Sequence, residues 1–209
     1  QFVDLNRDGF QDILSGSYAE LRVRPMAGYF HVLWGKEGHS FAKAQILNGT
    51  DGNPLEIKTD PNSRFSSRTN SRVCTRPTAV DWDSDGDLDL VVGDSQGAFN
   101  LFIAEGTNKF KPESSMLTVD GEPLKIEGLH SDPVFVDWDN DGDLDLLSGS
   151  SLGGASWAEN TAGKGKPISL KSFVTLIPPN QGSKIGCWKG DPPYPASSTR
   201  LCAEDLNGD

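Results

Sequence analysis

Short apolar runs recur along this chain, separated by stretches rich in Gly, Asp, Asn and Ser. The clearest series lies between residues 77 and 110. Pro77–Val80 (PTAV), Leu88–Gly93 (LDLVVG) and Ala98–Ala104 (AFNLFIA) read as three strands, and EGTNK turns the chain into a fourth starting near Phe110. Runs of Ala, Leu, Glu and Lys that favour helix are scarce, while Gly (23) and Pro (13) are abundant. The pattern predicts an all-β chain of short antiparallel strands.

The pattern repeats. An acidic phrase separates the first two strands and begins at Asp4, Asp81, Asp137 and Asp205, at intervals of 77, 56 and 68 residues. Residues Tyr29–Phe41 align with Ala98–Phe110 at an offset of 69, and Asp51–Ile57 (DGNPLEI) align with Asp120–Ile126 (DGEPLKI) at the same offset. The first unit then has 8 extra residues before Tyr29 and 13 after Ile57, which account for the difference between 77 and 56. Four strands in about 40–60 residues predict one blade of a β-propeller. A β-solenoid is the alternative, although its repeats are usually shorter. Residues 1–209 are expected to be a partial propeller of three units, approximately 1–76, 77–132 and 133–204. A fourth loop starts at 205–209, and the whole ring would have about six to eight blades. Both ends fall inside the repeated phrase, so the chain reads as a segment of a longer one.

The acidic phrase sets six aspartates beside a buried strand between Val80 and Asp94. Counted from its first Asp, oxygen-bearing side chains fall at positions 1, 3, 5 and 9, with Gly at position 6. The first copy offers Asp4, Asn6, Asp8 and Asp12 around Gly9. The second offers Asp81, Asp83, Asp85 and Asp89 around Gly86, and the third Asp137, Asp139, Asp141 and Asp145 around Gly142. Alternate oxygens converging on a glycine bend are how a chain wraps a hard cation. Position 7 (Phe10, Asp87, Asp143) would add a backbone carbonyl. Ca²⁺ suits so many oxygens better than Mg²⁺, which keeps several waters. The truncated copy, Asp205, Asn207 and Asp209, would not hold an ion alone. The plain alternative is a solvated acidic turn, and three copies with identical spacing weigh against it. An EF-hand requires Glu at position 12, where this chain has Ser15, Val92 and Ser148.

The phrases DxDxDGxxDL, preceded by PTAV and PVFV, resemble the FG-GAP/VCBS repeat family, whose members form calcium-binding β-propellers, including the head of integrin α subunits. The resemblance covers nearly the whole chain and implies the fold, the ion and the ligand positions named above. The Phe-Gly…Gly-Ala-Pro signature is missing, so the chain looks closer to the bacterial VCBS type. Activity is not implied, because this fold hosts adhesins, lectins, scaffolds and polysaccharide lyases.

Net charge −11 argues against a nucleic-acid or anionic-membrane partner, and no apolar run approaches the roughly 20 residues of a membrane span. GSSLG (149–153) and GDSQG (93–97) match G-x-S-x-G, but they lie one repeat apart and no helix is expected after them, so both read as turns. His31, His39 and His130 have no metal- or base-like spacing. Trp82 and Trp138, at position 2, are expected to pack between units rather than stack on sugar; Trp157 is expected in the core and Trp188 exposed. Cys187 and Cys202 bracket a Pro-rich insertion that a disulfide would close, in keeping with a secreted, cell-surface or periplasmic location, and Cys74 is left over. Asn48–Thr50 fits a glycosylation sequon. These readings predict a binding, adhesion or scaffolding module rather than an enzyme. The alternative is the propeller of a secreted carbohydrate-active enzyme of polysaccharide-lyase type, or a lectin. A protein or polysaccharide partner is expected on the face opposite the calcium loops, where all three insertions fall. The second of these carries Arg64, Arg68 and Arg72, which suit an acidic partner.

Overall fold

The structure is a computed structural model that describes residues 1–17, 27–58, 74–178 and 201–203. Among these residues there are seventeen strands and no helix. The first unit contains β1 (Phe2–Val3), β2 (Asp12–Gly16), β3 (Ala27–Leu33), β4 (Gly35–Lys36), β5 (Ser40–Phe41), β6 (Gln45–Ile46) and β7 (Glu56–Lys58). The second contains β8 (Arg76–Val80), β9 (Asp89–Gly93), β10 (Phe99–Phe102), β11 (Ser115–Met116), β12 (Thr118–Val119) and β13 (Glu122–Pro123). The third contains β14 (Asp132–Val136), β15 (Asp145–Gly149), β16 (Ala155–Ala158) and β17 (Val174–Ile177).

Three antiparallel sheets follow the chain order: β1-β2-β3-β6 with β7 also on β3, then β8-β9-β10-β11, then β14-β15-β16-β17. The strand nearest Phe110 is displaced from its expected place. Phe110 makes isolated bridges to Ala104 at the hairpin end and to Gly49 of the first unit, and the fourth strand of the second sheet is β11, which pairs with Asn100–Leu101. Asp120 and Gly121, both at positive φ, make the tight turn between β12 and β13, as an Asp-Gly hairpin requires.

The sheets stack face to face, and the second strand of the middle one is covered on both sides. All five residues of β9 are buried. Leu90 and Val92 enter one core with Leu14, Phe30 and Val32 of the first sheet, whereas Val91 enters a second core with Leu146 and Ala158 of the third. Each such fully buried aliphatic side chain contributes about 1.5–3 kcal/mol. Edge-on ring pairs seal both cores, Phe30 on Phe102 at 5.4 Å and Trp82 on Phe135 at 6.4 Å.

A repeated joint holds neighbouring sheets in register. The Ser17 N–H donates to Thr75 Oγ1 (2.8 Å), and at the equivalent place the Asp94 N–H donates to Ser131 Oγ (2.9 Å). The return bonds are Thr75 N–H to the Ser17 carbonyl (3.2 Å) and Ser131 N–H to the Asp94 carbonyl (3.1 Å). Glycine is required beside this joint. A Cβ on Gly16 would strike the Thr75 carbonyl, and one on Gly93 the Ser131 carbonyl. The first strands are also tied side by side: Gln1 Oε1 accepts from the Ala79 N–H at 2.7 Å, and Thr78 Oγ1 donates to the Pro133 carbonyl at 2.7 Å. Along them runs a groove of about 820 Å³, lined by Arg76, Asp132 and Val134 and by Leu201–Ala203.

There is no disulfide among the described residues, and Cys74 carries a free thiol. The expected Cys187–Cys202 bridge involves Cys187, which lies outside the described residues, as do Trp188, Arg64, Arg68 and Arg72.

Candidate metal centre

Each acidic loop joins the first two full strands of its sheet, and the three loops share one internal hydrogen-bond pattern. The residue at position 4 is left-handed in all three (Arg7, Ser84 and Asn140, φ 57–63°), as is the glycine at position 6 (Gly9, Gly86 and Gly142, φ 89–97°). This double reversal curls the backbone so that short side chains bond back onto it. The glycine N–H donates to the first aspartate: Gly9 to Asp4 Oδ2 (3.0 Å), Gly86 to Asp81 Oδ2 (3.2 Å) and Gly142 to Asp137 Oδ2 (3.0 Å). The position-7 N–H donates to the fifth residue: Phe10 to Asp8 (2.9 Å), Asp87 to Asp85 (2.7 Å) and Asp143 to Asp141 (3.0 Å).

The loops differ in how their carboxylates gather. In the second, oxygens of Asp81, Asp83 and Asp89 all lie within 4.8 Å of one another; in the third, those of Asp137, Asp139 and Asp141 do. The first loop forms no such three-carboxylate group. There Asn6 replaces an aspartate, and its amide donates to Asp8 Oδ2 at 2.9 Å. Asp85 lies outside the second group and Asp145 outside the third. Asp205, Asn207 and Asp209 lie outside the described residues.

Position 9 is fully buried in every copy. Asp12, Asp89 and Asp145 are each 0% exposed. Both oxygens of each accept backbone N–H groups. Oδ2 bonds position 2 of the loop, through Leu5 (2.9 Å), Trp82 (2.8 Å) and Trp138 (3.1 Å). Oδ1 bonds the second residue after the third full strand, through Gly35, Ala104 and Asn160, each at 2.7 Å. Spacing alone presents these aspartates only as ligands, because the second partner is 15 to 23 residues away.

Burial pushes the Asp89 carboxyl up to about 6; the Ala104 and Trp82 N–H groups oppose this, and Asp83 and Asp85 add to it. Asp139 and Asp143 are also raised, first by lost hydration and then by neighbouring carboxylates. Position 7 uses its side chain as well. Asp87 accepts from Thr107 Oγ1 (3.1 Å) and lies 3.9 Å from Arg7, while Asp143 accepts the Gly163 N–H (2.8 Å).

One atom tests whether these residues fit a cation. Asp81 Oδ1 is buried and has no hydrogen-bond partner, though Asp81 belongs to one of the two three-carboxylate groups. A lone carboxylate oxygen beside two further carboxylates is costly without a positive charge to face. The donor set is all oxygen and all anionic, which suits a hard divalent ion. These two clusters are able to hold a metal ion.

Residues 81–148 match the family described as FG-GAP-like repeat. Over these residues the chain is similar to that family. The match runs from Asp81 of the second loop through Asp145 of the third and ends on Ser148 in β15, so it spans both three-carboxylate groups of this repeat. No curated protein and no solved structure matches the chain.

Other expected features are placed as follows. Trp82 packs on Phe135, whereas Trp138 is 48% exposed. Ser95 and Ser151 lie in turns that lead into β10 and β16. The joint residues Thr75 and Ser131 escaped sequence reasoning. Their only signal is a hydroxyl side chain six residues before the first Asp of each loop.

Proposed function

We propose that this chain is part of a Ca²⁺-stabilised β-propeller and acts as a binding or scaffolding module outside the cytosol. The partnerless Asp81 Oδ1 within the Asp81–Asp83–Asp89 cluster carries this reading. The three sheets, tied side by side through their first strands, have the sequence and spacing of propeller blades. On this reading the repeat units are about 1–76, 77–132 and 133–204. Asp81, Asp83, Asp85 and Asp89 would hold one ion with the carbonyl of Asp87, and Asp137, Asp139, Asp141 and Asp145 a second with that of Asp143. Asp4, Asn6, Asp8 and Asp12 would hold a weaker third with the carbonyl of Phe10. The ion would supply the positive charge that lets crowded carboxylates sit against the core; it performs no reaction.

The partner would be a protein or polysaccharide on the face opposite the loops, because strand direction puts the turns after β2, β9 and β15 there, together with the connections between sheets. Calorimetric titration of the chelator-stripped chain with CaCl₂ tests the reading. At least two sites are expected, with one lost in Asp83→Asn and another in Asp139→Asn. Absence of binding heat, with an unchanged melting curve in EDTA, would refute it.

A further inference from the structure

We infer that Asp12, Asp89 and Asp145 are positioning residues that fasten each acidic loop to the turn after the third strand, so that this turn responds to cation occupancy. The cation half of this inference rests on the reading above. The positioning half stands on geometry alone.

Three observations converge. First, the pairing is the same in all three copies: one oxygen to the loop amide at position 2, the other to the amide after the third strand. It persists in the first loop, where Asn6 and Phe10 thin out the acidic set, so it does not depend on the full ligand complement. Second, the carboxylates are fully buried, and such a group is held there only by bonds that replace water. Third, Asp89 also lies within 4.8 Å of oxygens from Asp81 and Asp83. Each carboxylate oxygen has two lone pairs. Asp89 can therefore face the cation cluster and the turn at once.

The second and third loops have an additional tether. Asp87 reaches Thr107, and Asp143 reaches Gly163, each a few residues beyond the amide held by position 9. The turns at 104–107 and 160–163 are thus gripped twice by their acidic loops. In the first loop position 7 is Phe10, which is 40% exposed, and the corresponding turn is gripped only by Asp12. A cation entering the second loop draws on Asp89, which also holds the turn, and on the reading above Asp145 would do the same in the third. The turns after β10 and β16, on the loop face of the molecule, then form a surface whose conformation follows calcium.

The test is an amide-resolved NMR titration of the intact, chelator-stripped chain with CaCl₂. The Ala104 and Asn160 amides are expected to move in step with Gly86 and Gly142 in the loops, while Gln96, in the turn after β9, stays still. Movement of Gly86 and Gly142 without Ala104 and Asn160 overturns the coupling. If none of these amides moves, the cation reading fails, and the positioning role is decided without calcium by hydrogen exchange. In Asp89→Ala, which removes both acceptor oxygens, the Ala104 amide is expected to lose its protection, whereas Asp83→Asn retains it. A folded Asp89→Ala variant with Ala104 still protected overturns positioning.

Discussion

The first and second acidic loops share a backbone and differ in chemistry. Both turn through a left-handed residue at position 4 and a glycine at position 6, and both bury an aspartate at position 9 between two amides. Yet the second gathers three carboxylates within 4.8 Å, while the first uses an asparagine amide to quench one of its own. Position 2 is Trp82 in the second loop and Leu5 in the first. Loop shape is therefore set by the glycine and the position-9 aspartate. Charge at positions 3 and 7, by contrast, can vary without loss of the shape, so affinity for an ion is free to differ from unit to unit.

Chelation should show the largest effect. A site filled at about 100 times its Kd adds roughly 2.7 kcal/mol. Two such sites, at roughly 2–4 °C per kcal/mol for a chain of this size, predict a fall in Tm of about 10 °C or more in EDTA. Differential scanning calorimetry with and without chelator reads it. The comparison sharpens with Asn6→Asp, which gives the first loop the same acids as the second at positions 1, 3, 5 and 9. An additional calorimetric site, tighter by about tenfold or about 1.4 kcal/mol, is expected. No new site would mean that loop charge does not set affinity.

The pH response isolates the second loop. Asp89 is raised from 3.8 to about 6, so its ionised form is disfavoured in the fold. This unfavourable contribution is present above about pH 6 and fades as the pH falls toward 3.8. The stripped protein should thus gain Tm between pH 7 and pH 5, while the Ca²⁺-loaded protein, which needs the carboxylate ionised, should lose it. Parallel curves would contradict the assignment. The smallest effect belongs to Arg7→Ala. The Arg7–Asp87 pair is 3.9 Å long and its arginine half-exposed, so its loss costs less than about 1 kcal/mol, and calcium affinity of the second loop rises slightly.

Much of this architecture is legible in the sequence. The interval between acidic phrases marks the three sheets, and the offset of 69 aligns β3 with β10 before any coordinates are seen. Strands such as β11 and β13 are only two residues long, too short for any alternation of apolar and polar residues to show. The double duty of Asp89 is hidden because its second partner is the backbone of Ala104, and a backbone amide carries no residue-type signal. Thr75 and Ser131 are hidden for a related reason: a single hydroxyl is too common to mark a joint, and it takes on meaning only once Gly16 and Gly93 are seen pressed against it. The segments with the greatest length variation, 18–26, 59–73 and 179–200, lie outside the described residues.

Terbium luminescence excited through tryptophan tests the central claim most directly. Trp82 and Trp138 occupy position 2 of the two three-carboxylate loops, whereas the first loop has Leu5 there. The account predicts sensitised Tb³⁺ emission that Ca²⁺ displaces, that falls by about half in Asp83→Asn, and that disappears in Asp83→Asn/Asp139→Asn. Emission absent from the parent chain, or unchanged in the double variant, would contradict it.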